Sequence, residues 1–189
     1  LVGSEMCIRD RMQDAVPIRL GQEFKAYSVA IMRDIHRMDK AMDEMRTLNM
    51  GGTAIGTGIN ADEGYLRRIV PNLTEISGMD FIQAFDLIDS TQNLDPFVAV
   101  SGAVKACAVT LSKMSNDLRL MSSGPRTGFG EINLPAKQNG SSIMPGKVNP
   151  VIPEVVNQVA FNIIGNDVTI TMAAEAVSYT HLRAHETDS

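Results

Sequence analysis

Two hydroxyls, one ammonium and one amide share a single short stretch, GSSIMPGKVNP at residues 140–150: Ser141, Ser142, Lys147 and Asn149. A serine is a poor base at its ordinary pKa. Its alkoxide becomes usable only where backbone N–H groups and a nearby cation stabilise it. Lys147 supplies a point charge suited to a carboxylate, and Asn149 an amide that can donate and accept while orienting it. Gly140 and Gly146 bracket the serines and permit backbone angles that other residues resist, so the segment between them can move or hold strain. Taken singly, these are a loop cap and a solvated lysine. Taken together, they point to proton abstraction beside a carboxylate.

Other chemistries find little support. GGTAIGTGIN, residues 51–60, follows no strand pattern, and Pro145-Gly146-Lys147 lacks both the lead and the following Ser/Thr of a phosphate-binding loop. His36 is the only histidine between residues 12 and 176 and sits among charges, as a surface histidine does, so no Ser-His-Asp set can form. A net charge of −5 and a pI near 5.2 argue against nucleic acid as a partner. No uninterrupted apolar run reaches the ~18 residues of a membrane span, and no signal-peptide pattern appears, so no membrane association is expected. The two cysteines, Cys7 and Cys107, give neither a disulfide framework nor metal spacing, which fits a reducing cytoplasm.

The ends differ in kind from the middle. LVGSEMCIRD (1–10) and VSYTHLRAHE (177–186) can be written as one DNA segment and its inverted complement. Leu1 as CTC pairs with Glu186 as GAG, Met6 as ATG pairs with His181 as CAT, and the relation holds through Asp10 and Val177. Helices selected for packing have no reason to obey it. Both flanks, 1–11 and 177–189, resemble translated sequencing-adapter read-through and are expected to be non-native. His181 and His185 therefore cease to be ligand candidates, and no metal site is expected. Residues 12–176 are expected to be an internal fragment of a longer protein.

The elements that must hold the chemistry are helical. Leu20, Phe24, Tyr27, Ile31, Ile35, Met38, Met42 and Met45 recur in steps of three and four, an amphipathic helix with a near-heptad stripe. Such a stripe favours bundle packing at shallow angles. Pro17 just ahead fits a helix start. Further helices are expected from about Asp62 to Ile76, from Asp95-Pro96 to Met121, and from near Pro153 to Ala176. Residues 122–135 read as a loop by their Gly and Pro content. No alternating run suggests a sheet, so the predicted class is all-α.

GSSIMPGKVNP also resembles the signature GSSxMPxKxN of the aspartase/fumarase superfamily. QDAVPIRLGQEF, GGTAIGTGIN, NDLRLMSSGPR and GEINLP are similar to its aspartase and class II fumarase branches, and VIPEVVNQVAFNIIGNDVTITMAAEA to the ammonia-lyase branch. The resemblance covers essentially all of residues 12–176. It implies a long-helix bundle belonging to the central domain of that fold. It also implies reversible elimination of ammonia from L-aspartate to give fumarate, with no organic cofactor and at most Mg²⁺ as an activator. By the same resemblance, Ser141 is the base that removes the Cβ proton, and Lys147 and Asn149 bind the carboxylate where charge then develops. Ser142 and Val148 lie in the substrate-contact stretch, Val148 acting through its backbone. Glu154 matches a carboxylate that pairs with an active-site histidine.

That histidine marks the departure from the family pattern. The family reads Thr-His-x-Gln-Asp, whereas here Asp10 and Arg11 stand where the Thr and His would be, before Gln13-Asp14. Two upstream signature regions are also absent. The resemblance implies a homotetramer whose sites are built from three subunits, so this segment is expected to carry the base-bearing loop and to be inactive alone. Class II fumarase and a catalytically silent scaffold of the same fold are the alternatives. A scaffold would need none of Ser141, Lys147 and Asn149.

Overall fold

A computed structural model describes residues 5–10 and 12–176. The expected flank 177–189, and residues 1–4 and 11 of its N-terminal counterpart, lie outside the described residues. The chain runs β1 (Glu5–Asp10), β2 (Gln13–Arg19), α1 (Leu20–Glu44), β3 (Thr47–Leu48), α2 (Glu63–Ser77), β4 (Ile82–Gln83), α3 (Asp89–Gln92), α4 (Asp95–Met121) and α5 (Val151–Glu175). The fold is helical, as expected, and no sheet among the described residues exceeds two strands.

The paired strands are the main departure. β1 and β2 form an antiparallel pair with Met6 opposite Ile18 and Cys7 opposite Pro17, broken by an irregularity between Cys7 and Arg9. Pro17 therefore sits in a strand rather than at a helix start. β1 also falls inside the flank expected to be non-native, yet it pairs with residues beyond that flank. The helix begins at Leu20, where Gln22 Oε1 accepts the Arg19 N–H at 2.9 Å. This is the return half of a capping box.

α2 matches the expected boundaries because both ends are chemically closed. Asp62 Oδ1 accepts from the N–H groups of Gly64 (2.8 Å) and Tyr65 (3.2 Å). At the other end Gly78 adopts φ 69°, and its N–H donates to the Thr74 carbonyl, the left-handed stop that glycine provides most easily. Asp62→Ala is expected to cost about 1 kcal/mol of stability, read as a lower urea midpoint by circular dichroism. An unchanged midpoint would show that water caps this helix equally well.

The described residues divide into two compact units, one within 5–37 and 105–164, the other within 38–104 and 165–176. The first unit buries Ala108, Met114, Met121 and Ala160 together with the polar Asp34, Ser112, Ser115 and Asn157. The second buries Ala41, Val70 and Ala103, and Ser101 Oγ donates to buried Asp167 at 2.8 Å. In the second unit the glycine-rich loop is a packing turn. The Gly52 carbonyl accepts the N–H groups of Gly56 and Gly58 at 2.9 and 3.1 Å.

The stripe read on α1 turns only partly inward. Phe24, Ile35 and Met42 are 46%, 42% and 56% exposed, whereas Asp34 is 2% exposed. α4 alone among the described helices is long and apolar enough, by length and composition, to cross a membrane. Its polar residues are spent on protein contacts: Ser101 on Asp167, Ser112 and Asn116 on Asn157, and Asp117 on Tyr27. That pattern is the one expected of a packed helix.

Candidate active site

Residues 122–150 join α4 to α5 within the first unit, and both ends of the connection are folded back on themselves. Next to α4, the Gly130 N–H donates to the Ser123 carbonyl and the Glu131 N–H to the Met121 carbonyl, each at 2.8 Å. The Phe129 N–H reaches Ser123 Oγ at 3.1 Å. Next to α5, the Lys147 N–H donates to the Met144 carbonyl at 3.1 Å. A Cβ placed on Gly140 would lie 2.9 Å from the Lys147 carbonyl oxygen. Gly146, at φ 83°, makes the turn between them. α5 then starts, with the Val151 N–H on the Asn149 carbonyl at 2.9 Å. Glu154 lies in its first turn, where a helix dipole favours a carboxylate.

Lys147, Val148, Asn149 and Glu154 all line one cleft of about 1200 Å³. α4 contributes Asn116 and Arg119 to the same cleft, and the connection adds Ser122, Ser123 and Asn133. Among the described residues neither Lys147 nor Arg119 pairs with a carboxylate. Two cations without a carboxylate partner, beside amide and hydroxyl donors, suit an anion carrying carboxylates.

Ser141 and Ser142 are placed differently. Ser141 is half-buried and its Oγ accepts the Ile143 N–H at 3.2 Å, while Ser142 is exposed. Neither lines the cleft. The structure therefore gathers Lys147, Val148, Asn149 and Glu154 and leaves both serines beside them on the loop. Sequence reasoning missed Asn116 and Arg119. Their signal was present, since they stand three apart at the polar end of an otherwise apolar helix, on one face.

Other titratable groups nearby are structural. Tyr27 Oη lies 2.9 Å from Asp117 Oδ2 and 3.2 Å from Glu23 Oε1, so one proton serves two carboxylates. Burial, then the Asp117 hydrogen bond, raises the phenol pKa and keeps it protonated. Lys113 pairs with Asp117 and sits 5.3 Å from the Tyr27 ring centroid. Burial also raises the Cys107 pKa, with Asp34 adding to the effect, which disfavours the nucleophilic thiolate.

A family model described as lyase matches residues 6–165. Aspartate ammonia-lyase of Bacillus subtilis is 55% identical over 168 residues, covering 89% of this chain and 35% of the relative. That of Pseudomonas canavaninivorans is 60% identical over 168 residues, covering 88% and 35%. The chain thus spans about a third of the length of the curated relatives it matches. Among solved structures, a Brucella melitensis protein described as fumarate lyase:delta crystallin superposes with a TM-score of 0.87 at 52% identity, over 91% of this chain and 37% of that one. A class II fumarase from Schistosoma mansoni gives a TM-score of 0.87 at 34% identity, over 90% and 39%. With the family model matched over most of its length, the chain belongs to the lyase family.

Proposed function

We propose that this chain is the base- and carboxylate-handling segment of an ammonia-lyase that converts L-aspartate to fumarate and ammonia. The observation that carries the reading is the cleft that holds Lys147, Asn149 and Glu154 together. The relatives named aspartate ammonia-lyase, 52–60% identical, favour this branch over class II fumarase at 34%.

In this reading Ser141 Oγ takes the Cβ proton of the substrate. The electron pair left on Cβ spreads onto the neighbouring carboxylate, giving a dianion, and the C–N bond then breaks to release ammonia. Lys147 and Asn149 hold the carboxylate where the charge develops, with Ser142 and the Val148 backbone beside it. The Ile143 N–H already donated to Ser141 Oγ favours the alkoxide over the hydroxyl. Since Ser141 lies off the cleft wall, catalysis requires the loop to carry it in. Glu154 orients a group supplied from outside this segment.

The exposed apolar side chains of α1 support burial against further copies in a homotetramer, working in the cytoplasm. Nothing in the chemistry calls for an organic cofactor. Among the described residues no three His, Cys, Asp or Glu side chains are arranged to hold a metal ion, so no step is routed through Mg²⁺.

The test grafts residues 12–176 into two hosts, replacing the matching segments of the Bacillus subtilis ammonia-lyase and of the Schistosoma mansoni fumarase. The ammonia-lyase chimaera should deaminate L-aspartate, and the fumarase chimaera should hydrate fumarate poorly. The 189-residue chain alone should do neither. Turnover restored only in the fumarase host would overturn the reading.

A further inference from the structure

Asn157 is 3% exposed, among the most buried polar residues described, and no step of the proposed chemistry uses it. It stands three residues beyond Glu154 on α5, on the same side of the helix. Its partners are all on α4, where Ser112, Asn116 and Arg119 follow at helical spacing. Ser112 Oγ donates to Asn157 Oδ1 at 3.3 Å, and Asn157 Nδ2 donates to Asn116 Oδ1 at 2.6 Å. With the amide turned over, Nδ2 donates to the Ser112 carbonyl at 3.2 Å and Oδ1 accepts from Arg119 Nη1 at 3.0 Å.

In either orientation the partners of the amide are all on α4; turned over, its Oδ1 lies 2.6 Å from the Asn116 amide, which then turns as well and donates its N–H to it beside Arg119. A buried amide tolerates little sliding, because any shift of α5 along α4 would leave its donors and acceptors unmet. A leucine of similar size would fill the space without fixing the register. Two of the α4 partners, Asn116 and Arg119, also line the cleft that contains Glu154. The amide therefore ties one wall of the cleft to the helix turn that presents the carboxylate.

We propose that Asn157, held by Arg119 and Asn116, is a positioning residue that fixes where the first turn of α5 places Glu154 relative to Lys147 and Asn149. The proposal rests on the reading that these residues share one active site. It goes beyond it by assigning the buried helix contact, and not the loop, as the element that sets their geometry. Asn157 touches no substrate in this scheme and acts only through Glu154.

The experiment is a double-mutant cycle in the active ammonia-lyase chimaera. Asn157→Leu should lower kcat about tenfold with KM within about threefold, while Asn157→Asp, which keeps acceptors for Arg119, should stay within about threefold of the parent. In a Glu154→Gln background the same Asn157→Leu change should lower kcat by less than about threefold, because the carboxylate it positions has gone. Additive losses, or an unchanged kcat in Asn157→Leu, would overturn the proposal. Hydrogen exchange on the 189-residue chain gives a readout that needs no turnover. Asn157→Leu should speed exchange at residues 151–157 and leave α2 unchanged, and equal protection in both chains would also overturn it. A chimaera inactive before any substitution counts against the proposed function, and the exchange result then decides the positioning role by itself.

Discussion

Ser141→Ala in the ammonia-lyase chimaera is expected to lower kcat by roughly 10²–10⁴, the range for loss of a general base, with little change in KM. The hydroxyl is proposed to act only when the Cβ proton leaves, so removing it spares substrate binding. Lys147→Ala should behave differently. A cation on a carboxylate holds the ground state as well as the dianion, so its loss should raise KM and lower kcat together. Both variants are read by following fumarate absorbance during L-aspartate deamination. Near-parent kcat in Ser141→Ala would place the base elsewhere, with Ser142 the next residue to replace.

Gly56→Ala should remove a large share of the stability of the unit that contains it. Two independent penalties meet at this residue. Its φ is 86°, a left-handed conformation costing an alanine roughly 1–2 kcal/mol. A Cβ there would also lie 2.4 Å from both the N and the Cα of Ile88, and 2.5 Å from the Leu87 carbonyl oxygen. Those are backbone atoms that cannot swing aside as the end of a side chain can, so the segment leading into α3 must shift. The combined loss should be on the order of 4 kcal/mol, a large share of the 5–15 kcal/mol that holds a domain together. Gly78→Ala is the control, since its φ is 69° and nothing lies within 4 Å of the added carbon. It should show the backbone penalty alone, about 1 kcal/mol. Equal shifts in urea midpoint for the two variants would remove the clash from the explanation.

The helices were legible because their signals are local. α2 carries an Asp cap and a Gly stop, and α4 and α5 begin near prolines that suit a first turn. The β1–β2 pair was not legible, because Pro17 satisfies a helix start and a strand position equally well and only pairing decides between them. Which residues of α1 find cover within this chain was only partly legible, for a related reason. An apolar stripe shows which face seeks cover, but within this chain Asp34 and Ala41 are covered while Phe24 and Met42 are not. At the site, the motif supplied Lys147, Val148, Asn149 and Glu154 as neighbours. It could not show that Arg119 and Asn116 join them, since that depends on how α5 settles against α4. Nor could it show that Ser141 Oγ accepts the Ile143 N–H and is left out of the cleft wall, which depends on the loop's own turns.

The near contact between Gly140 and the Lys147 carbonyl makes residues 141–146 a noose whose two strands are already drawn together at the neck. Closing a loop costs entropy that depends mainly on bringing its ends together and only weakly on what lies between. Here that cost is met at the neck, outside the tip. The part of the tip beyond the two serines, with Ile143 87% exposed, can be varied or lengthened while the ammonium of Lys147 stays at its post. A lineage could in this way retune the base or its reach over the substrate by drift in the tip alone, provided position 140 keeps its glycine.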